Sequence, residues 1–315
     1  MEHLRPVEYH RVLVSDKRRI GRGILAIVLL VGGMQVFALT LTAVAAYVDT
    51  ALGTEPRAGY TPLVNAAGAF SIALLIPWSM LIQRWLYGVT GRTLHSVAGV
   101  FRMAVLGRAV LVLVPVWAVY LAVLTALEPS AAVEWSLGDM LFMFVVTLVV
   151  VPLQTAGEEY GYRGLIFRVT AGWARGARSA LVLGVGVSAV LFTVIHLSTD
   201  LWLNIQFLAV GIAFALITWR TGGLETTVVL HAANNVLGLM LALVLHADLS
   251  AAPDRSSGVG SVAYLIPVAL LAVITAVIWY RTRRTGPPLT PATETVDEST
   301  VQSTVESAAE KAETV

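Results

Sequence analysis

The chain has 315 residues, of which 57% are hydrophobic and only 13% are charged, and its formal net charge is +1. This balance, with a mean hydropathy of +0.77, is far from that of a soluble globular domain and indicates a polytopic membrane protein. The chain has no cysteine, which excludes disulfides, thiolate zinc sites and thiol nucleophiles. The small net charge reflects membrane topology, and we expect no nucleic-acid partner.

Eight stretches of the sequence are long and apolar enough to cross a hydrocarbon core of about 30 Å, which takes about 20 helical residues. Only helices satisfy their own backbone hydrogen bonds in lipid, so the predicted fold is all-α, a polytopic transmembrane bundle of about eight helices. The predicted spans are residues 24–48, 62–83, 109–127, 138–157, 179–197, 202–219, 224–246 and 261–280.

The distribution of Lys and Arg predicts the orientation of the bundle. All of the 21 Lys and Arg residues except Arg57 and Arg255 fall on one side of the predicted spans. By the positive-inside rule, that side and both termini are cytoplasmic, which agrees with an even number of spans. We therefore expect a multi-pass protein of the cell membrane of a bacterium, with the lipid bilayer as its surroundings.

Two adjacent carboxylates, Glu158 and Glu159, lie in the stretch TAGEEYGYRGLIF at the end of a long apolar run. Polar residues inside spans are costly and therefore call for a reason. On a helix, Arg163 lies four residues after Glu159 and five after Glu158, so one carboxylate can pair with the guanidinium while the other points elsewhere. We interpret Glu159 and Arg163 as a structural ion pair, which leaves Glu158 without a charge partner.

Two further motifs place polar groups one helical turn apart. FTVIH puts Phe192 and His196 on one helix face, and HAANN does the same for His231 and Asn235. Because an intramembrane ionisable group is by default a functional hypothesis, Glu158, His196 and His231 form the predicted site. Phe192 is more typical of packing, and Asn235 suits an interhelical hydrogen bond as well as it suits the site.

In this order, EEYGYR, FTVIH and HAANN resemble the EExxxR, FxxxH and HxxxN signatures of the CAAX protease and bacteriocin-processing family, also called the Abi family, of intramembrane proteases. Gly164 after the arginine and RTGGL before the third segment add to the resemblance. It implies an eight-helix bundle whose fourth to seventh helices enclose a polar cavity. It also implies a hydrolase, an endopeptidase that acts on membrane-associated peptides or proteins.

The resemblance also divides the chain into regions. Residues 140–246 form the expected catalytic core of the CAAX protease type, after a basic cytoplasmic segment (1–23) and N-terminal transmembrane helices (24–139). An external loop and the last transmembrane helix follow (247–284). The tail, residues 285–315, is rich in Pro, Thr, Ser and Glu, and is predicted to be acidic, disordered and cytoplasmic.

Peptide hydrolysis needs an activated water, a group that stabilises the oxyanion and a proton for the leaving amine. Glu158 in a low dielectric is a candidate general base and later acid. His196 is a candidate to orient the water, and His231 and Asn235 to donate to the oxyanion. Glu158, His196 and His231 are also the ligand set of some catalytic zinc sites, so a zinc mechanism and a metal-free one both stay open. The resemblance favours zinc, because the family is commonly described as metalloproteases.

Helix geometry sets a condition on this site. At a rise of about 1.5 Å per residue, His196 lies roughly 26 Å above the start of its helix near Ser179, and His231 roughly 14 Å above Gly222. Glu158 falls between, at roughly 18 Å, if its helix continues past the predicted span. The three can meet only if the helices tilt or begin at different depths, and we expect the site to be buried nearer the cytoplasm.

Two other functions stay open. A proton-coupled transporter also places such polar groups inside a bundle, but is expected to show inverted repeats with broken helices in both halves. Here the polar groups lie in the second half only, which favours an enzyme. A proteolytically silent scaffold would keep the fold and bind partner proteins without turnover. The sequence selects neither a substrate, prenylated or not, nor an oligomeric state.

Overall fold

The computed structural model describes residues 6–54, 60–127, 132–249 and 255–292. The fold is all-helical, as predicted, and the described residues form no strand. A π-helix, Tyr160–Ile166, joins α5 to α6. The helices are α1 (Ile20–Ala51), α2 (Pro62–Ala73), α3 (Leu75–Tyr87), α4 (Met103–Leu127), α5 (Leu137–Glu159), α6 (Phe167–Ala171), α7 (Ala177–Val194), α8 (Leu201–Thr221), α9 (Glu225–Val244) and α10 (Leu265–Thr282).

Eight helical segments of the described chain are long and apolar enough to cross a membrane, which confirms the predicted number and indicates a multi-pass integral membrane protein. The span predicted at 62–83 consists of two helices, α2 and α3, that meet at Leu74. Pro77 accounts for the break, because it cannot donate to the carbonyl of Ala73 and its ring crowds that oxygen. Most of the tail predicted to be disordered, residues 293–315, lies outside the described residues.

The span predicted at 138–157 is longer than expected. It continues as one helical rod from Leu137 to Ala171, because the π-helix connects α5 to α6 without a break. All seven residues of the π-helix are buried. The two adjacent carboxylates therefore lie inside a span, just before the π-helix, rather than at its end.

The two ends of the described chain meet at one end of the bundle, which we call the terminal end. The amide of Val7 donates to Oγ1 of Thr290 at 3.0 Å, and the amide of Thr290 donates to the carbonyl of Val7 at 2.9 Å. Arg11 donates to the carbonyl of Arg175, just before α7, at 3.0 Å. The opposite end, which we call the distal end, contains the end of α7 and the loop around Arg255, whose carbonyl accepts from the amide of Thr199.

Two arginines at the terminal end are held by bonds to buried partners. Arg102 forms a two-pronged ion pair with Glu225, with N···O distances of 2.8 and 2.7 Å, and Glu225 is fully buried. The guanidinium of Arg168 lies 3.7 Å above the ring of Tyr9 and donates to the carbonyl of Thr93 at 2.6 Å. Charge-assisted bonds of this kind stabilise a buried guanidinium, so this end of the bundle is closed by well-packed polar groups.

Close packing of α2 against α5 fixes the position of the adjacent carboxylates. A Cβ at Gly157 would lie only 2.9 Å from the carbonyl carbon of Ile72 and 3.2 Å from Cα of Ala73. Small residues let membrane helices approach closely and gain dispersion energy that lipid cannot replace. Since Gly157 directly precedes Glu158, this contact holds the carboxylate pair at a defined depth.

The contact predicts that Gly157→Ala destabilises the fold. The added methyl group meets backbone atoms that cannot move aside, so we expect a loss of about 1–3 kcal/mol, seen as a lower unfolding midpoint in detergent. Gly107→Ala is the matched control, because Gly107 is also helical and a Cβ there meets nothing within 4 Å. Equal midpoints for the two variants would contradict a backbone-tight contact at Gly157.

Candidate active site

A cavity of about 430 Å³ lies within the bundle. Five of the seven predicted site residues line it, and the other two, Glu159 and Arg163, are fully buried beside it. The predicted trio of Glu158, His196 and His231 thus shares one cavity. The lining residues are Met34, Ile72, Gln154, Glu158, Tyr162, Phe192, Ile195, His196, Gln206, Phe207, Val210, Phe214, His231, Asn234, Asn235 and Arg255.

The predicted pair of Glu159 and Arg163 is present in the structure. Nη1 of Arg163 donates to Oε1 of Glu159 at 3.0 Å, and both side chains are fully buried. The guanidinium also lies 3.9 Å above the ring of Phe192 and 5.2 Å from that of Phe214. Phe192 therefore packs as expected and also stabilises the buried cation through its ring face.

Glu159 has a second partner that the sequence did not indicate. Nδ1 of His231 lies 2.8 Å from the same Oε1 that binds Arg163. A carboxylate can only accept, so Nδ1 is the donor and Nε2 is the ring nitrogen left for other contacts. Glu159 thus orients His231 in the way that a second-shell carboxylate orients a catalytic imidazole.

Glu158 has polar neighbours, although the sequence gave it no charge partner. Its Oε2 lies 3.8 Å from Nε2 of His231, which is too long for a hydrogen bond, and its Oε1 accepts from Gln154 at 3.5 Å. Successive residues of a helix point about 100° apart, since a turn takes 3.6 residues. Glu158 therefore faces the cavity while Glu159 points into the packed interior.

His196 lies just past the end of α7, at the distal end of the cavity. Its Nδ1 lies 2.6 Å from the carbonyl of Phe192, which can only accept, so Nδ1 is protonated and Nε2 is the acceptor. The ring stacks on Phe207, with centroids 4.0 Å apart and 24° between the planes. Arg255 donates to the carbonyl of His196 at 2.5 Å. Phe207 thus fixes the ring of His196, and Arg255 fixes its backbone.

A short chain of hydrogen bonds orients Asn235. Nε1 of Trp117 donates to Oδ1 of Asn234 at 3.1 Å, and Nδ2 of Asn234 donates to Oδ1 of Asn235 at 3.0 Å. The oxygen of Asn235 is therefore used as an acceptor within the bundle. Its amide nitrogen is the end of the side chain that remains as a donor for a ligand in the cavity.

Several lining residues escaped the sequence interpretation. Gln154 and Gln206 are polar residues inside apolar runs, and Gln154 lies one helical turn before Glu158, so both carried a usable signal. Arg255 lies in a loop and carried none. The cavity also reaches the distal end, through His196 and Arg255. The expectation that the site lies nearer the cytoplasm stays a prediction.

The predicted zinc ligands share the cavity but are not drawn together into a metal-binding cluster. In the part of the chain that the structure describes, no three His, Asp or Glu side chains lie close enough together to hold a metal ion. Nδ1 of each histidine is already bonded, to Glu159 for His231 and to Phe192 for His196. The two Nε2 atoms and Glu158 remain as the donors that would hold a zinc ion, and a bonded Nδ1 is the usual second contact of a metal-ligating histidine. A role for zinc stays a prediction.

Comparison with known proteins agrees with the motif assignment. Residues 137–237 match the family described as type II CAAX prenyl endopeptidase Rce1-like, which confirms the resemblance for that segment and indicates the intramembrane protease class. The chain is also similar to the uncharacterized protein YyaK of Bacillus subtilis (strain 168), with 28% identity over 109 residues. That similarity covers 33% of this chain and 35% of the relative, about a third of each. No solved structure matches the chain.

The buried triad of Arg163, Glu159 and His231 predicts a stability effect. Arg163→Ala leaves Glu159 buried without its cation, so we expect a loss on the order of 3 kcal/mol and a lower unfolding midpoint in detergent. The double variant Arg163→Met with Glu159→Gln removes both charges and should recover part of that loss. An unchanged midpoint in Arg163→Ala, together with lost activity, would instead place Arg163 in the chemistry.

Proposed function

We propose that this chain, whose residues 137–237 match the Rce1-like CAAX prenyl endopeptidase family, is an intramembrane endopeptidase that cleaves membrane-associated peptides or proteins. One observation carries the proposal. Glu158, His196 and His231 line one cavity, and a buried ion pair behind it fixes the imidazole of His231. A volume of about 430 Å³ is within the range of cavities that hold a small ligand, and here it admits a short stretch of extended peptide.

The first chemical step is attack by water. Glu158 accepts a proton from a water molecule whose second contact is Nε2 of His196, the acceptor nitrogen of that ring. As the proton moves to Glu158, the water oxygen forms a bond to the carbonyl carbon of the substrate, and the electron pair of the carbonyl moves onto its oxygen. The stacking of His196 on Phe207 keeps Nε2 directed to one place.

The oxyanion that forms in this step needs donors. Nε2 of His231, in the doubly protonated ring, and the amide nitrogen of Asn235 supply two. Glu158 and Glu159 lie on either side of the His231 ring, at 3.8 and 2.8 Å, and their negative charge offsets that of the charged ring. In the second step, Glu158 gives its proton to the amide nitrogen as the C–N bond breaks, and the carboxylic acid and amine products leave.

A transporter or a silent scaffold accounts for fewer features of the structure than an endopeptidase does. A proton-coupled transporter is expected to have polar sites in both halves of the chain, yet most of the lining residues come from the second half. A silent scaffold would not require two imidazoles with their Nδ1 atoms bonded and their Nε2 atoms available beside a carboxylate. A cleavage assay separates the enzyme from both.

Glu158→Gln tests the general base. The amide cannot take a proton from water, so we expect cleavage to fall by about 100-fold or more. The unfolding midpoint should stay close to that of the parent protein, because the polar contacts of Glu158 are long, 3.5 Å to Gln154 and 3.8 Å to His231. Glu134→Gln, an exposed glutamate outside the cavity, is the matched control and should cleave at the parental rate. Parental turnover by Glu158→Gln would remove Glu158 from the mechanism.

The metal content of the purified enzyme, with its activity in chelator, decides between the metal-free mechanism and a zinc mechanism. The metal-free scheme requires that purified active enzyme contain far less than one metal ion per chain and keep its activity in chelator. If chelator stops cleavage and zinc restores it, and if His196→Ala or His231→Ala lowers the bound metal, the zinc site predicted from the sequence is correct and the metal-free scheme is wrong.

A further inference from the structure

The cavity extends to the distal end of the bundle. Toward the distal end, its lining residues are partly exposed, among them His196, Gln206 and Phe207. Arg255 also lines it and belongs to the loop at that end. Gln206 and Phe207 lie in the first two turns of α8, which begins at the distal end. A path for water and peptide therefore leads from Glu158 toward the distal end.

Toward the terminal end, the bundle is sealed. Glu159 and Arg163 are fully buried directly behind the cavity, and Tyr160 and Tyr162 beside them are almost completely buried. Beyond them, Arg168 packs on Tyr9 of the N-terminal segment, and both are fully buried. A substrate that approached from this side would have to break buried ion pairs and displace closely packed aromatic rings, which is strongly unfavourable.

The distribution of charge assigns the two ends to the two sides of the membrane. Both ends of the described chain lie at the terminal end, and the sequence segments that hold most of the Lys and Arg residues belong to that side of the spans. The positive-inside rule places such an end in the cytoplasm. The open end of the cavity, which contains Arg255, then faces away from the cytoplasm.

We propose that the active site is reached from the non-cytoplasmic face of the membrane. This inference rests on the proposed endopeptidase function and names its substrate class: polypeptide segments that have crossed the membrane and stay attached to it. A prenylated tail in the cytoplasm has no path to Glu158. A substrate anchored in the same bilayer gains a high effective concentration at the opening.

Single cysteines test the direction of access, and the absence of native cysteine makes the background clean. Thr199→Cys marks the distal end, Ser179→Cys marks the terminal end, and Gln206→Cys lies in the cavity; Thr199 and Ser179 are exposed. We expect a membrane-impermeant maleimide to label Thr199→Cys and Gln206→Cys in intact cells. Ser179→Cys should be labelled only after the cells are permeabilised. Labelling of Gln206→Cys only after permeabilisation, or only in detergent, would overturn the proposal.

Vesicles separate this proposal from the proposed function. A membrane-impermeant peptide that the detergent-solubilised protein cleaves should be cleaved outside right-side-out vesicles and not outside inside-out vesicles, with Glu158→Gln as the inactive control. Cleavage by inside-out vesicles alone would refute the direction of access and leave the endopeptidase intact. No cleavage of any peptide in detergent would refute the endopeptidase, while the cysteine labelling still decides which way the cavity opens.

Discussion

The site depends on one oxygen atom. Oε1 of Glu159 accepts from Arg163 at 3.0 Å and from His231 at 2.8 Å, in a place where neither the carboxylate nor the guanidinium reaches water. Buried charges are tolerated only when they are paired and bonded, so the three side chains constrain one another. Because Glu159 is the last residue of α5 and His231 lies on α9, this oxygen joins the helix that carries Glu158 to the helix that carries His231. The position of His231 therefore follows from the pairing of two other residues.

Much of the fold could be predicted from the sequence, because lipid leaves a chain few choices. Runs of apolar residues had to be spanning helices, and i, i+4 spacing placed Phe192 with His196 and His231 with Asn235. The pairing of Glu159 with Arg163 also followed from i, i+4 spacing. Spacing within one helix says nothing, however, about contacts between helices. The bond from His231 to Glu159, which spans 72 residues, had no local signal.

Depth was the hardest property to predict. A regular rise per residue separates His196 from His231 along their helices, and it gives no tilt and no account of the turn after Val194 that carries His196. The π-helix was equally hidden, because Tyr160–Ile166 reads as an ordinary helical stretch in which two glycines are tolerated. Arg255 joined the site through a loop, where distance along the chain carries no information about proximity in space. The depth of the histidines, the π-helix and the position of Arg255 depend on packing between distant parts of the chain. Local patterns in a single sequence do not reveal such packing.

The length of this rod matters to the site in a way that hydrophobicity does not report. A π-turn accommodates about one residue more than an α-turn, so it behaves like an insertion that the helix has absorbed. Removing one residue from the regular turns of α5 instead, where no π-turn takes up the change, would leave a span of almost unchanged length and apolar character. It would nevertheless rotate everything after it by about 100°, roughly a third of a circle. Arg168 would then turn away from Tyr9 and Thr93. A variant that keeps this site must therefore preserve the direction in which each residue points around the helix axis, and this matters more than the apolar composition of the span.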